Sequence, residues 1–595
     1  MELKEEGCPI GSSLSDSGTI VAVTEDECRL EGQGAEKSST KKVFQTLQRK
    51  VLELQRVLMD HFFRMTSQRV QSLSPEDQQR PQGSWKWIKR MGFLMSRMAN
   101  LIWAEATKEL KFKEPLPRSD PRCDIKAGQQ ALSSWQPDQP GPRLGGFEAV
   151  FVSHVLSRRG TGICDLYRAN FQSYEAYQRD KYHKEKNPMG YINLGTSENK
   201  LCLDLIKERL SQRDMNQIEE DLLQYSDWQG QPFLRKELAS FLTCYCRAPT
   251  PLDPEKVVVL NGCSSVFSSL AMVLCDPGDA FLIPTPCYSG FAFSSCLYSK
   301  VELIPVHLES QPLSIAHVLQ ADSSFSQLTM DILELTLTQA KMKEKKVKGL
   351  VLVNPQNPLG EVYTRSMMKE YLAFAKKHNL HVIVDEIYML SVFDASVTFH
   401  SVLNIKHLPD PNKTHMIWGT SKDFGISGFR FGVLYTHNKE VASAMRAFGY
   451  LHGVSGITQF KLCQLLQDRE WIDQLYLPTN HSRLRKAYLY VAKRLEKLKV
   501  PFFNGGSGLY VWIDLRAYLS PCTFDQEQIL CQCFQDNKLL LSRGRAYMCK
   551  EPGWFRLIFA GDQLQVKVAL DRFCQVLKEH KKDPRLKQLE PAIAT

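Results

Sequence analysis

Short apolar segments rich in β-branched residues alternate with helix-like segments in the second half of the chain, and this alternation restricts the fold more than any other feature. The segments are residues 257–260, 281–283, 301–306, 349–353, 381–384, 416–418 and 431–435. Strands that are separated by helices need crossover connections, which produce a mostly parallel sheet. The sequence therefore predicts an α/β fold. In such sheets, ligand-binding residues gather in the loops at the strand ends.

Length and composition are those of an ordinary globular protein with more than one domain. The chain has 595 residues, of which 43% are hydrophobic and 24% are charged, and its net charge is +10. Such a length exceeds one compact core, and the basic excess is too small to predict a nucleic-acid partner. The 17 cysteines are scattered, without the spacing of a disulfide framework or of a zinc site. No metal site is predicted.

The sequence favours a cytoplasmic protein with free thiols. Residues 1–6 carry no basic patch followed by an apolar run, so a signal peptide is not expected. Two uncharged stretches, residues 257–275 and 280–299, are interrupted by Asn, Gly, Ser or Pro. They are interpreted as buried strand and helix rather than as membrane spans.

The N-terminal quarter differs from the rest of the chain. Residues 1–40 are rich in Ser, Gly and Glu and are predicted to be disordered. Helices are predicted over residues 44–58 and over residues 84–104, which carry four basic and no acidic residues, and the prolines of residues 115–142 indicate a linker. The basic amphipathic helix suits a helix-binding partner or an anionic membrane surface. Packing on the rest of the protein is the alternative.

Three of the apolar segments run directly into polar residues of chemical interest. Asp385 and Tyr388 follow one segment, Lys422 follows another with Arg430 eight residues later, and Asn357 stands in an Asn-Pro-x-Asn-Pro-x-Gly sequence after a third. Taken alone, each has an ordinary interpretation as a helix cap, a solvated lysine or a turn. Their order along the chain resembles that of the class I and II aminotransferase family.

Further motifs narrow the resemblance. Asn-Pro-Met-Gly at 187–190, Gly-x-x-Glu-Asn at 195–199, Pro-Thr-Pro-Cys-Tyr at 284–288 and Glu-Pro-Gly-Trp-Phe-Arg at 551–556 make the chain similar to 1-aminocyclopropane-1-carboxylate (ACC) synthases, and specifically to their animal ACC synthase-like relatives. The resemblance covers roughly residues 160–575. It implies fold type I of the pyridoxal 5′-phosphate (PLP)-dependent transferases. This fold has a mostly parallel seven-stranded sheet in a large domain and a smaller α+β domain, here beside a largely disordered N-terminal extension.

The resemblance also implies a domain division. The N-terminal extension takes residues 1–145, and an N-terminal arm with part of the small domain takes residues 146–228. The large PLP-binding domain takes residues 229–455, the C-terminal small domain takes residues 456–580, and a tail takes residues 581–595.

PLP is the cofactor that the resemblance implies, and the family pattern assigns its contacts. Lys422 would hold PLP covalently and shuttle the substrate's α-proton, and Asp385 would pair with the pyridine nitrogen. Tyr388 and Asn357 would hydrogen-bond the ring's phenolic oxygen, and Tyr288 would stack on the ring face. Lys422, Asp385 and Tyr388 are the catalytic residues of this hypothesis.

The remaining assignments concern the phosphate and the substrate. A helix that starts at Cys263 and Ser264 would bind the phosphate through backbone N–H groups, with Arg430 adding a charged contact. Arg556 would bind the substrate's α-carboxylate. Glu198 would lie near the sulfonium group of the family's substrate.

Two positions depart from the ACC synthase pattern. The family's D-Y-x-G turn, whose tyrosine reaches the phosphate across a dimer interface, is Asp-Trp-Gln-Gly at 227–230, and a serine three residues before the lysine is replaced by Gly419. An indole cannot place a hydroxyl where a phenol would. Two lost hydrogen bonds of about 0.5–1.5 kcal/mol each predict PLP binding weakened by roughly one or two orders of magnitude. Restoring Trp228→Tyr and Gly419→Ser should reverse this loss.

The resulting hypothesis is a cytoplasmic, homodimeric PLP-binding protein of the ACC synthase-like group, whose ACC synthase activity is weak, altered or lost. The ancestral reaction converts S-adenosylmethionine into ACC and methylthioadenosine. An aminotransferase or β-eliminating lyase acting on an amino-acid-like small molecule is the alternative enzyme. A pseudoenzyme, that is, a non-catalytic PLP-fold dimer acting as a binding protein, is the alternative from another class.

Overall fold

A computed structural model describes residues 155–309 and 327–580, and every structural statement below concerns these residues. The predictions made for the extension at 1–145, with its helices and linker, and for the tail at 581–595 lie outside the described residues.

The described residues form strands and helices in alternation. The strands are β1 (Ile192–Asn193), β2 (Val257–Leu260), β3 (Ala280–Thr285), β4 (Glu302–His307), β5 (Val347–Val353), β6 (His381–Asp385), β7 (Thr414–Trp418), β8 (Gly432–Thr436), β9 (Phe502–Phe503), β10 (Tyr510–Asp514), β11 (Leu539–Leu540), β12 (Ser542–Arg543) and β13 (Trp554–Ile558). The α-helices are α1 (Arg158–Arg179), α2 (Leu203–Leu210), α3 (Pro232–Tyr245), α4 (Cys263–Leu274), α5 (Gly290–Leu297), α6 (Met330–Met342), α7 (Arg365–Lys377), α8 (Thr420–Asp423), α9 (Lys439–His452), α10 (Gly456–Gln467), α11 (Leu477–Lys497), α12 (Phe524–Asp536) and α13 (Gln563–His580). A π-helical stretch, Trp471–Tyr476, leads directly into α11.

Seven of these strands form one sheet in the order β2-β8-β7-β6-β5-β3-β4. Neighbours from β7 to β4 run parallel, and β8 runs antiparallel to both β2 and β7. All seven segments predicted from the sequence are strands of this sheet, so the mostly parallel seven-stranded prediction is confirmed. The two uncharged stretches are the strand–helix pairs β2–α4 and β3–α5. Within the described ranges, no helix combines the length and the apolar character that a membrane span needs.

The strands of the large sheet are apolar at consecutive positions and are buried on both faces, as is expected for a sheet that helices cover on both sides. Every residue of β2, β3, β7 and β8 is buried.

The helices that cover the sheet begin at side-chain caps. Thr329, Thr364 and Asn438 accept hydrogen bonds from first-turn N–H groups of α6, α7 and α9. Such a cap stabilises a helix by about 1 kcal/mol.

A second, smaller region has its own sheet and core, which is the smaller α+β region expected from the sequence. Strands β12-β13-β10-β9 form a four-stranded antiparallel sheet, and β1 pairs in parallel with β11. The β1–β11 pair joins a segment that precedes the large sheet to strands that follow it. Helices α11, α12 and α13 contribute buried side chains such as Leu484, Leu530 and Phe573.

A histidine pair, His415 buried and His381 half-buried, joins three strands at the end of the large sheet opposite to the ends that carry the polar motifs. His381 Nδ1 lies 2.9 Å from His415 Nε2, and His415 Nδ1 lies 2.9 Å from the Thr436 hydroxyl. Burial lowers the pKa of His381 to about 4 and that of His415 to about 3. Both rings are therefore neutral in the folded protein at neutral pH.

We expect this pair to reduce stability in acid. Below the ordinary histidine pKa of about 6.5, the unfolded chain binds protons that the folded rings do not. For each ring, the free energy of unfolding of the protein then falls by about 1.4 kcal/mol per pH unit, until the pH reaches the folded pKa of that ring. The buried carboxyls of Asp385 and Asp423, whose pKa values are raised to about 7, act in the opposite direction. A comparison with His415→Gln therefore isolates the histidine effect.

The measured quantity is the difference in free energy of unfolding between the wild type and His415→Gln, from urea titrations. This difference should shrink by about 2 kcal/mol between pH 7 and pH 5. A difference that is independent of pH would contradict the expectation.

Candidate functional site

Strand ends of the large sheet bring the polar motifs to one edge. Strands β2, β3, β5, β6 and β7 end at this edge, and the antiparallel strand β8 begins there. Because parallel strands share the edge at which they end, the topology itself clusters the residues in the adjoining loops. These residues are Cys263, Tyr288, Asn357, Asp385, Lys422 and Arg430.

A cavity of about 670 Å³ lies at this edge. It is lined by nine of the ten residues that were assigned roles from the sequence, namely Cys263, Ser264, Tyr288, Asn357, Asp385, Tyr388, Lys422, Arg430 and Arg556. Glu198 is not among the lining residues. Its carboxylate lies 3.3 Å from Lys200 Nζ and accepts a hydrogen bond from the Ser427 hydroxyl at 3.3 Å. The role of Glu198 near a sulfonium stays a prediction.

Lys422 sits in the short helix α8, directly after β7. Its Nζ donates a hydrogen bond to the carbonyl oxygen of Ser197. Burial lowers the pKa of Lys422 to about 8, and Arg556 contributes to the shift. With such a pKa, about a tenth of the amine is neutral at pH 7, far more than for an ordinary lysine, and the neutral amine is the form that attacks a carbonyl.

Asp385 and Glu386 are adjacent acids at the end of β6, and their side chains have different partners. Asp385 lines the cavity, and one of its carboxylate oxygens accepts a hydrogen bond from Ile387 N at 3.2 Å. Burial raises the pKa of Asp385 to about 7. Glu386 instead accepts hydrogen bonds from the Ser401 hydroxyl at 2.6 Å and from Val402 N at 2.7 Å. Glu386 therefore anchors a loop, and Asp385 is the acid presented to a ligand.

Arg556 reaches the cavity from β13 of the smaller sheet. Its Nη1 donates to Asn357 Oδ1 at 2.8 Å, and its Nη2 donates to Gly195 O at 2.5 Å. The rings of Tyr510 and Tyr547 each lie 5.1 Å from the guanidinium carbon. Each Nη carries a second hydrogen that these bonds do not use. The guanidinium is thus held firmly and keeps two donors for an anion.

The two tyrosines predicted to touch a cofactor both line the cavity. The Tyr388 hydroxyl lies 3.0 Å from the Ser197 hydroxyl. Tyr288 packs its ring edge-on against Phe291, with the ring centroids 5.5 Å apart. The role of Ser197 was not predicted, although Ser197 stands beside Glu198 within the Gly-x-x-Glu-Asn motif. The contact of Gly195 with Arg556 was not predicted either.

The helix start predicted to bind a phosphate is accompanied by Arg430. Gly262 precedes α4 with a φ of +120°, and a Cβ at this position would come within 2.8 Å of Arg430 Nη2. Glycine is therefore required for the guanidinium to approach the first turn of α4. Arg430 Nη1 donates to Ser427 O at 3.0 Å, which fixes the side chain there. The free N–H groups of α4 and this guanidinium form one anion-binding region.

The two departures from the family pattern have different surroundings. At Gly419, a Cβ would lie 2.7 Å from Phe431 O and 2.8 Å from Cys263 Sγ. Trp228 does not line the main cavity but a second one of about 350 Å³, where its ring packs 5.2 Å from the ring of Tyr450. The space that a serine hydroxyl would need at position 419 is thus occupied by neighbouring atoms.

Gly419→Ser is therefore expected to destabilise the protein rather than to restore cofactor affinity. The new Cβ must displace a backbone carbonyl, and overpacking of this kind costs about 1–3 kcal/mol. In a Cys263→Ala background, one of the two clashes is removed, so a double-mutant cycle should show part of this cost recovered. The measurement is urea unfolding of the four proteins. An unchanged midpoint for Gly419→Ser would show that the strand end adjusts freely.

Comparison with known proteins agrees with this architecture. The model of the family described as aminotransferase class I and II matches residues 190–573. The probable inactive 1-aminocyclopropane-1-carboxylate synthase-like protein 2 of Mus musculus is 69% identical over 93% of this chain and 94% of its own length. The 1-aminocyclopropane-1-carboxylate synthase-like protein 1 of Homo sapiens is 51% identical, over 76% of this chain and 90% of that protein.

More distant proteins share the fold. The 1-aminocyclopropane-1-carboxylate synthase 2 of Solanum lycopersicum is 33% identical over 75% of this chain and 92% of its own length. The crystal structure of aspartate aminotransferase from Thermotoga maritima superposes with a TM-score of 0.53 at 21% identity, covering 71% of this chain and all of that one. The large and small sheets therefore form the aminotransferase fold, which is the fold type I expected from the motifs. The chain belongs to the class I and II aminotransferase family and, within it, to the ACC synthase-like group.

Proposed function

We propose that this chain binds PLP through Lys422 and that its ACC synthase activity is weak, altered or lost. One observation carries the proposal: the buried amine of Lys422, with its lowered pKa, shares a cavity with Asp385, Tyr388, Asn357 and Arg556. An amine, a buried acid, a phenol and an oriented guanidinium are the groups that amino-acid chemistry on PLP requires.

The residues that line the cavity fit both ends of PLP, the phosphate and the pyridine nitrogen. The approach of Arg430 to the first turn of α4, which Gly262 permits, suits a phosphate. Asp385 suits the pyridine nitrogen, because a buried carboxyl with a raised pKa gains most from a cationic partner. Lys422 supplies the covalent anchor between these two ends.

PLP, when bound, supplies an electron sink that stabilises negative charge on the substrate's α-carbon. The chain contributes the remaining steps. Arg556 binds and orients the α-carboxylate with its two unused N–H groups, and Asn357 holds Arg556 in place at 2.8 Å. The Lys422 amine carries the proton at the α-carbon. Tyr288 forms a wall of the cavity and helps to keep water out.

Two features support a reduced ACC synthase activity. Neither Gly419 nor Trp228 offers a hydroxyl to the phosphate, and Glu198 is paired with Lys200. The name of the mouse relative, which includes the words probable inactive, agrees with this. An aminotransferase or β-eliminating lyase remains the alternative enzyme, and a non-catalytic PLP-fold dimer remains the alternative from another class.

Two assays test the proposal. A PLP titration followed by near-visible absorbance measures cofactor binding, and release of methylthioadenosine from S-adenosylmethionine by the PLP-loaded protein measures ACC synthase chemistry. We expect an absorbance band and a release that is slow or absent beside an ACC synthase run in parallel. A protein that stays colourless at saturating PLP would contradict the cofactor proposal. Release as fast as that of the ACC synthase would contradict the reduced activity.

Covalent capture of PLP should accelerate as the pH rises towards the pKa of Lys422. Only the neutral amine attacks the cofactor's aldehyde, and burial lowers this pKa to about 8. Below pH 8, the neutral fraction, and with it the capture rate, should fall about tenfold per pH unit. Stopped-flow absorbance across this range should show a rise that levels off above about pH 8. A rate that still increases up to about pH 10 would indicate an ordinary lysine.

We further propose a cytoplasmic homodimer. Tyr225 and Tyr450, which are 93% and 70% exposed, form with Trp228 an aromatic surface suited to a second subunit. Buried cysteines such as Cys246, Cys275 and Cys287 carry free thiols, which suits a reducing compartment. Sedimentation analysis tests the dimer.

The binding role proposed for residues 84–104 rests on the sequence, and a peptide of this segment should gain helicity on anionic vesicles or on a helix-binding partner.

A further inference from the structure

The cavity is also lined by residues from α1, α12 and β12, to which the sequence assigned no role. We call this group the polar wall; its members are Arg168, Gln172, Gln528, Gln532, Gln535 and Arg543. The three glutamines of α12 lie at i, i+4 and i+7 and so share one helix face. The hydroxyl of Ser173 on α1 donates to Gln535 Oε1 at 3.3 Å, which ties the two helices together.

Arg543 is the cation of the polar wall whose guanidinium is hydrogen-bonded to a neutral side chain. Its Nη1 donates to Gln528 Oε1. The neighbouring acid, Glu527, is fully buried, and its oxygens accept hydrogen bonds from Arg545 N at 3.1 Å and Gly553 N at 2.8 Å. Glu527 is not a lining residue. Arg168, by contrast, is largely exposed and lies 3.6 Å from Asp165.

The charges that line the cavity are unbalanced. Asp385 is the single carboxylate among the lining residues, and five cations face it: Arg168, Lys422, Arg430, Arg543 and Arg556. On the proposed function, the phosphate of PLP would engage Arg430, the substrate's α-carboxylate would engage Arg556, and Lys422 would be taken up by the cofactor. Arg543 then remains as a lining cation that is hydrogen-bonded to a neutral amide, while the acid that interacts with it electrostatically, Glu527, lies outside the lining and is held by backbone N–H groups.

We infer that Arg543 and the amides of the polar wall bind a second anionic group on the substrate, so that the preferred ligand is an α-amino acid with an acidic side chain. This inference rests on the proposed PLP binding. A guanidinium is charged at all working pH values and binds carboxylate, phosphate or sulfonate through two parallel hydrogen bonds. The glutamine N–H₂ groups add neutral donors to the same anion.

A sulfonium substrate suits this wall poorly. S-adenosylmethionine carries a second positive charge, which like charges in a partly desolvated cavity repel. The acid expected near such a sulfonium, Glu198, is paired with Lys200 outside the lining. The wall therefore explains in one step why ACC synthase activity would be low and which ligands would replace the original substrate.

The test uses full-length protein loaded with PLP. Calorimetry and the shift of the cofactor band report binding of L-glutamate, L-aspartate, O-phospho-L-serine and L-cysteate, and of the neutral amino acids L-glutamine, L-asparagine and L-serine. We expect at least one acidic ligand to bind about tenfold or more tightly than its neutral counterpart, as charged hydrogen bonds allow. The best ligand identifies the anion as carboxylate, phosphate or sulfonate. Equal affinities for acidic and neutral members would overturn the inference.

Three variants locate the effect. Arg543→Gln should remove the preference for acidic ligands and leave the affinity for L-glutamine within about twofold, and Arg543→Lys should restore part of the preference. Arg545→Gln makes the same charge change at a residue that does not line the cavity, and it should retain the preference. A preference that survives Arg543→Gln, or that is lost equally in Arg545→Gln, would overturn the role of Arg543. A protein that stays colourless with PLP contradicts the proposed function itself, whereas a coloured protein without acidic preference contradicts only the polar-wall inference.

Discussion

Replacing Lys422 with alanine is expected to abolish covalent capture of PLP completely. The amine is the nucleophile, and its neighbours in the cavity, Asp385, Tyr388 and Arg556, cannot form the same bond. Protein is incubated with PLP, desalted and examined by absorbance. The wild type should keep its near-visible band, and Lys422→Ala should show none.

Two controls accompany this variant. Lys422→Arg keeps a cation in the cavity and should also lack the band, because a guanidinium does not attack the aldehyde. Lys439→Ala removes an exposed lysine at the start of α9 and should keep it. A band of full intensity in Lys422→Ala would show that a different lysine captures PLP.

Gly449→Ala is expected to cause the largest loss of stability among single-methyl changes in the large domain. Gly449 lies on the buried face of α9, and an added Cβ would overlap the carbonyl oxygen of Trp228. Because the overlapping atom belongs to the backbone, no side-chain rotation relieves the clash. Overpacking of this severity costs about 3 kcal/mol or more.

Urea unfolding followed by tryptophan fluorescence measures this effect. Gly428→Ala is the matched control, because a Cβ there meets no atom within 4 Å and its stability should change by less than about 0.5 kcal/mol. Equal midpoints for the two variants would show that the turn around Trp228 moves away from α9 without cost. The Trp228 surface proposed for a second subunit would then be adjustable.

Local sequence patterns were sufficient to predict the large sheet. Strands such as β2 are short, wholly buried and apolar at every position, and the last three residues of β7 are apolar too, so they stand out against the polar loops. The site residues could be found for the same reason. Asp385 ends β6 and Lys422 lies just after β7, and the parallel topology brings those strand ends together.

Other features depend on contacts that no local pattern records. The polar wall brings Gln172 and Gln528, which are far apart in the sequence, into the lining of one cavity, and Arg543 stands in no motif that marks it as a ligand-binding residue. The crowding at Gly419 arises from Phe431 O and Cys263 Sγ, which approach only when β7, β8 and α4 are assembled. The sequence predicted a missing hydroxyl there, and the structure adds that the space for it is filled.

Glu198 illustrates the limit of carrying a motif over to a new chain. The motif at 195–199 is kept, yet the partners of the Glu198 side chain are Lys200 and Ser427. Its charge is therefore partly balanced before any substrate arrives. Identity of a residue gives its chemical type, and the neighbours decide what that group can bind.

Site mapping of PLP on the wild-type protein shows whether Lys422 is the residue that holds the cofactor. The protein is incubated with PLP, reduced with borohydride and digested, and the modified peptide is identified by mass spectrometry. We expect one stoichiometric modification per chain, at Lys422. Absence of modification at saturating PLP, or modification spread over exposed lysines with Lys422 unmodified, would contradict it.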